Sequence, residues 1–395
     1  MMHQWFYKVM GQQCGPISSA ELRNLAQNGT ISSYMGRILL ACIIALATQL
    51  LPVKQGLCAE GPSANKSPAT SNASVDLEKK IYQSVKDLEY SDQVAQDFVR
   101  MVRPWKCDVL YQKLCQAAQD VKQKKVSWTQ YAQVEEEVIN RLAQTIKKKI
   151  TDADTTIESN VKYFELALVV KEKKAQCLGY TQLFYILGNS MGLTIQVIDV
   201  AENSKGLKLA GSSHVACAVG LHNGKAIQVD LTLRDCVSKA FIFTEEYGKD
   251  GNYWELKDKK NRLNIHPRIQ LLDKNGLIAW ICINRGNTYR NSDILTEAMS
   301  DFNKAIELNP KNVYAYINRG VVYYGLGKYT DAISDYNKAI ELNPKCAEAY
   351  LNRSLANAKL GKKEDSKRDL RKAQQLNPGL KETVKRMASE FKLDL

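Results

Sequence analysis

The chain has 395 residues, of which 45% are apolar and 25% charged; these are ordinary globular values, and the length calls for two or more folded units rather than one core. A formal net charge of +13 raises nucleic acid or a membrane surface as partners. The basic residues, however, are spread along helical faces (Lys122 to Lys125, Lys147 to Lys149, Lys171 to Lys174, Lys257 to Lys260), with no arginine-rich block interleaved with aromatics, so no nucleic-acid partner is expected. Ten cysteines without a CxxC pair, and only four histidines (His3, His214, His222, His266), speak against a zinc or His-built site; no metal and no cofactor is expected. Cys107 with Cys115, or Cys217 with Cys236, are pairing candidates in an exported domain; single buried thiols are the other reading.

Residues 1–33 open with Trp5-Phe6-Tyr7, a glycine turn at Gly11, then Gly15-Pro16-Ile17 and a short Leu22, Leu25 helix pattern ending at Gly29. This pattern resembles a bacterial GYF-like module, truncated because the usual further strand and Trp do not follow. Residues 38–53 are the most apolar run, flanked by Arg37 and Lys54. As a helix they would reach about 24 Å against a hydrocarbon core of about 30 Å, which predicts a single-pass anchor, with the following body extracytoplasmic. Two alternatives stay open for the localisation: export after cleavage near Ala59, or a cytoplasmic chain. Residues 59–74 are small, polar and Pro-containing, and read as a flexible linker. Helical periodicity fills the 75–150 segment, with helices expected over 76–89, 91–103, 107–122 and 127–149 and Ser127 as an N-cap.

The pattern changes at Cys177. It heads an apolar run with helical spacing (Leu178, Phe184, Ile186, Leu187, Met191) closed by Gly192. Strand-like runs follow at 193–200, 215–221 and 226–233. A thiol at a helix N-terminus sees aligned backbone N–H dipoles that favour thiolate; a His exchanges its proton and an Asp orients the imidazole, which makes Cys177, His214 and Asp230 the candidate catalytic residues. Their partnership depends on the turn at Asn223-Gly224. A two-residue turn would pair His222 with Lys225 and carry Asp230 off the His214 face. A three-residue loop with Gly224 left-handed would pair Leu221 with Lys225 and put Asp230 diagonally across from His214. The order Cys177, helix, Met191-Gly192-Leu193, His214-Val215-Ala216, Val229-Asp230-Leu231-Thr232 resembles the transglutaminase-like superfamily, with Ala216 and Leu231 departing from its usual aromatic and Pro. For 151–267 the resemblance implies a papain-like α+β core, a central helix packed on an antiparallel sheet, and a Cys-His-Asp amidase-type site. Residues 241–267 read as a surface segment covering the sheet, with Trp254 in it.

From 279 a period of 34 recurs at Ala279, Val313 and Ala347. Asn284-Arg285-Gly286 returns as Asn318-Arg319-Gly320 and Asn352-Arg353-Ser354, Phe302 as Tyr336 and Leu370, and Asn309-Pro310 as Asn343-Pro344 and Asn377-Pro378. This resembles the tetratricopeptide repeat and implies an all-α solenoid of three units (279–312, 313–346, 347–380) with a capping helix to 395. Such a stack implies a groove for a protein or peptide, and Asn284, Asn287, Asn318 and Asn352 are candidate peptide-binding residues, or else stabilise the repeat itself. Two functions are in view: a membrane-anchored cysteine hydrolase or amidase working through a thioester, and alternatively an inactive scaffold that recruits a protein partner.

Overall fold

The computed structural model describes residues 5–9, 12–17, 70–153, 164–202, 214–251, 253–258 and 265–394. The chain divides into two compact units, Met1–Lys66 and Ser67–Leu395. In the first, β1 (Trp5–Val9) pairs antiparallel with β2 (Gln12–Ile17); the glycine turn expected between them lies outside the described residues. The short helix expected near 22–25, the apolar run 38–53 and most of the 59–74 linker lie outside the described residues. The membrane anchor is corrected here. Among the described residues no helix is long and apolar enough to cross a membrane. The longest, Trp128–Lys149, is studded with Glu135, Glu136, Glu137, Arg141 and Lys147 to Lys149, charges that hydrocarbon does not admit.

The second unit begins with four helices: α1 (Thr70–Lys86), α2 (Asp92–Val102), α3 (Cys107–Lys122) and α4 (Trp128–Lys149). The first starts inside the stretch expected as linker, since an opening turn of helix need bury nothing. Ser127 caps α4 in a reciprocal box with Gln130, satisfying two donors that the first turn leaves free. A two-residue strand pair follows, β3 (Thr151–Asp152) parallel to β4 (Lys174–Ala175), with α5 (Leu166–Glu172) between them in the chain.

Helix α6 (Cys177–Met191) is apolar all round and buried over most of its length, the signature of a helix enclosed on every side. It packs on α1 and α4 and, on its other side, on β5 (Thr194–Glu202) and β6 (His214–Gly220). Gly188 permits the close approach to the sheet, because a Cβ there would stand 2.2 Å from Ile195 Cδ1. The remaining elements of this part are β7 (Ala226–Val229), α7 (Phe243–Glu246), β8 (Tyr247–Asp250), β9 (Tyr253–Leu256) and β10 (Arg268–Leu272). Together the strands form one antiparallel sheet in the order β7-β6-β5-β10-β9-β8. Much of the segment expected to lie over the sheet as a surface cover is therefore sheet itself. Its aromatic residues Phe241, Phe243, Tyr247 and Trp254 pack on the face opposite α6.

Three helix pairs complete the chain: α8 (Lys274–Asn291) with α9 (Leu295–Leu308), α10 (Val313–Gly325) with α11 (Tyr329–Leu342), and α12 (Ala347–Lys359) with α13 (Lys363–Leu376). Helix α14 (Lys381–Glu390) closes the last apolar face with Val384, Met387 and Ala388 against Leu370. The fold is thus an α+β unit followed by all-helical repeats. None of the cysteines of the described residues is in a disulfide. Cys107 and Cys115 sit two turns apart on α3, about 12 Å along its axis, beyond disulfide reach, and the Cys217 thiol points at Thr181 O, 3.7 Å away.

Candidate active site

Cys177 is the first residue of α6, following an extended Gln176, so its sulfur stands half-buried beside a turn of unpaired backbone donors. The facing hairpin has the three-residue loop. Leu221 N–H donates to Lys225 O at 2.8 Å, Gly224 is left-handed at φ 80°, and Gly220, Val219, Ala218 and Cys217 pair with Ala226, Ile227, Gln228 and Val229. Continued by one step, this register sets Asp230 opposite Ala216, and His214 Nε2 lies 2.7 Å from Asp230 Oδ2. Cys177 interacts with the same imidazole, adding to the pull of Asp230 on its proton. The three predicted residues therefore meet.

Strand β7 stops at Val229, short of the predicted 233, because the Asp230 side chain turns the chain. Its Oδ1 accepts from Thr232 N–H at 3.0 Å and from Thr232 Oγ1 at 2.6 Å, an Asx-type turn that competes with a strand ladder. Its Oδ2 also contacts His266 Nε2 at 3.0 Å, a residue that spacing alone did not single out for this site. His266 is clamped from both backbone sides: its N–H donates to Gln228 Oε1 at 2.8 Å and its carbonyl accepts from Tyr247 Oη at 2.5 Å. Gln228 Nε2 in turn donates to Tyr247 Oη.

The charges follow from these contacts. Burial works against the charged form of His214, but hydrogen bonds to Asp230 and then to Cys177 outweigh it and hold its pKa up to about 10. Burial likewise opposes ionisation of Asp230, yet the donors His214 and His266 keep it well below the usual carboxylate range. Asp199, on β5 beside Val215, is pushed up to about 7 by burial, against the pull of His214. His214, Asp230 and His266 also offer ligand atoms within 4.8 Å of one another. Hydrogen bonding accounts for that closeness, and a cation there must first displace both donors from Asp230. Apart from this cluster, His222 at the hairpin loop stacks on Trp128 and is held by buried Glu135 through both its backbone N–H (2.9 Å) and Nδ1 (2.7 Å).

A cavity of about 310 Å³ is lined by α8, α10 and α12, the first helices of the three repeats. Asn284, Asn287, Asn318 and Asn352 all line it. Two of them are engaged within the repeats. Asn284 Nδ2 donates to Trp280 O at 2.9 Å, and Asn318 Oδ1 accepts from Arg290 Nη1 at 3.0 Å.

Residues 313–346 and 347–380 match the family described as Tetratricopeptide repeat, 286–327 match TPR repeat, and 5–34 match GYF domain 2. No curated protein matches the chain. Among solved structures, the Arabidopsis OM64 TPR domain is 27% identical with a TM-score of 0.29, over 30% of this chain and 97% of that one. The first TPR of Spaghetti (RPAP3) bound to an HSP90 peptide is 27% identical with a TM-score of 0.27, over 29% of this chain and 93% of that one. The first TPR domain of human RPAP3 is 27% identical with a TM-score of 0.26, over 29% and 94%. Tetratricopeptide repeats thus occupy 286–380, and the N-terminal segment 5–34 is GYF-like in sequence.

Proposed function

We propose that the chain is a cysteine amidase or acyl transferase of transglutaminase-like, papain-like type whose repeats hold a protein or peptide partner. What carries this reading is the 2.7 Å His214–Asp230 contact, with Cys177 at the head of α6 interacting with the same imidazole. Cys177, as thiolate, attacks a carboxamide carbonyl; the C–S bond forms and the C=O electron pair moves to oxygen, toward the backbone N–H of Cys177. Collapse expels the amine, which takes the proton of the His214 imidazolium, a proton that a pKa of about 10 keeps in place at neutral pH. Water or a second amine then attacks the thioester, giving its proton back to His214. Asp230 holds the ring throughout.

The full chain treated at pH 7 with iodoacetamide-alkyne, with labelled sites mapped by mass spectrometry, tests the first step. Cys177 is expected to react fastest among the described thiols. His214→Ala is expected to slow it by roughly 100-fold, the low end of what a positioned acid–base group supplies. Ammonia release from a pool of glutamine-containing peptides is expected for wild type and not for Cys177→Ala. Equal Cys177 labelling in wild type and His214→Ala, with no ammonia released, sinks the enzyme reading. It leaves the second one, a scaffold that recruits a protein partner, which is favoured by the repeats being the longest part of the chain that known families match.

A further inference from the structure

Among the described residues, five buried side-chain polar atoms have no hydrogen-bond partner, and three of them, Trp280 Nε1, Asn287 Oδ1 and Glu348 Oε2, belong to residues lining the repeat cavity. Trp280 is only 1% exposed. Buried polar atoms are normally satisfied, and each exception calls for an explanation. Here three of the five gather at one cavity, while the other two, His266 Nδ1 and Arg268 Nε, lie away from it. A bound ligand explains the clustering, and the atoms left open define its chemistry.

Trp280 and Asn287 are seven residues apart on α8, about 10.5 Å along the helix axis. An extended peptide spans that distance in about three residues. One of its carbonyls would accept from the Trp280 indole N–H, and an N–H further along would donate to Asn287 Oδ1. Glu348, across the cavity on α12, leaves one carboxylate oxygen unfilled. Among the described residues, the cation that interacts with it is Arg290, whose guanidinium already donates to Asn318 Oδ1. A carboxylate in partly desolvated surroundings is best satisfied by a cationic donor.

We infer that the repeat groove takes an extended peptide segment bearing a lysine or arginine, whose side chain pairs with Glu348. This deepens the proposed function, resting on the part of it that gives the groove a peptide and not on the thiol being active. The test uses the full chain and three fluorescein-labelled, acetyl- and amide-blocked peptide pools with degenerate flanks and a fixed central residue: Lys, Leu or Glu. In fluorescence anisotropy, wild type is expected to bind the Lys pool roughly tenfold or more tightly than the others. Glu348→Gln, which keeps shape and removes charge, should abolish that preference while the thermal midpoint stays near wild type. Cys177→Ala should bind all three pools as wild type does, so a failure of the thiol chemistry leaves this result standing. Three outcomes overturn the inference: no binding of any pool, equal or tighter binding of the Glu pool, or a Lys preference that survives Glu348→Gln.

Discussion

Four contacts converge on the Asp230 carboxylate: His214 Nε2 and His266 Nε2 on one oxygen, Thr232 N–H and Oγ1 on the other. An asparagine in its place offers one accepting oxygen and an NH₂ that faces donors, so the network cannot be refilled. Asp230 is also among the groups that hold the His214 pKa up to about 10, against burial. Asp230→Asn is therefore expected to move the alkaline limb of Cys177 alkylation, followed from pH 6 to 10.5, downward by at least about one unit, roughly a tenfold loss of imidazolium at a fixed pH on that limb. An unmoved limb in a variant with an unchanged circular dichroism spectrum would show that Asp230 does not hold His214. Cys177, His214 and Asp230 were legible in the sequence because residue type, order and one turn's geometry sufficed to bring them together. His266 was not. It lies 36 residues beyond Asp230, after short strands with little alternation, and its position is set by Gln228 and Tyr247, contacts that exist only once β8 to β10 have joined the sheet.

Within the repeats, the element pairs are fixed by two devices that recur every 34 residues. Arg285, Arg319 and Arg353 each grip Asp301, Asp335 and Asp369 through two bonds of 2.6–2.8 Å, stapling the first helix of a pair to the second. Arg319 and Arg353 also reach back to Asn303 and Asn337 of the preceding pair. The recurrence was plain in the sequence, but the partner of each arginine was not, since sixteen residues and a turn separate it from its aspartate. The second device is close packing. A Cβ on Gly320 would stand 2.6 Å from Tyr336 Cε1, and one on Gly286 2.8 Å from Phe302 Cε1. The third repeat has no aromatic there, and buried Ser354 and Leu370 occupy the equivalent positions. Gly320→Ala is expected to cost about 1–3 kcal/mol by overpacking, net of a helix-propensity gain of about 1 kcal/mol. With Tyr336→Leu added, imitating the third repeat, the two losses should fall short of additivity by about 1 kcal/mol or more in urea unfolding. Strict additivity would mean that the glycine is not there for the ring.

At the scale of the molecule, the question is whether the repeats are an appendage or part of the core. A free solenoid contacts only neighbouring repeats, and its stability is a sum of local terms. Here the first repeat helix does more: Leu277, Ile278, Ala279, Trp280, Ile281, Cys282 and Ile283 are all buried in the same apolar cluster as α6 and α1. Seven consecutive buried residues leave this stretch of α8 no polar outer face, although Trp280 and Ile283 line the repeat cavity, which is why it lacks the amphipathic signal of the later repeats. The repeat phase could be read from the sequence, whereas the fusion to the preceding unit could not. The consequence is shared cooperativity. Cys217, on β6, and Cys282, on α8, are each buried within that cluster and serve as native reporters of the two parts. In pulsed thiol labelling across a urea series, both are expected to become reactive at the same midpoint. Ile281→Ala, a cavity costing about 2–5 kcal/mol, should lower both midpoints together, although Ile281 belongs to the repeat helix and Cys217 to the sheet. If Cys282 labels at a urea concentration where Cys217 is still protected, or if the substitution moves Cys282 alone, the repeats unfold as a separate module, and the groove and the thiol site are coupled only by the chain between them.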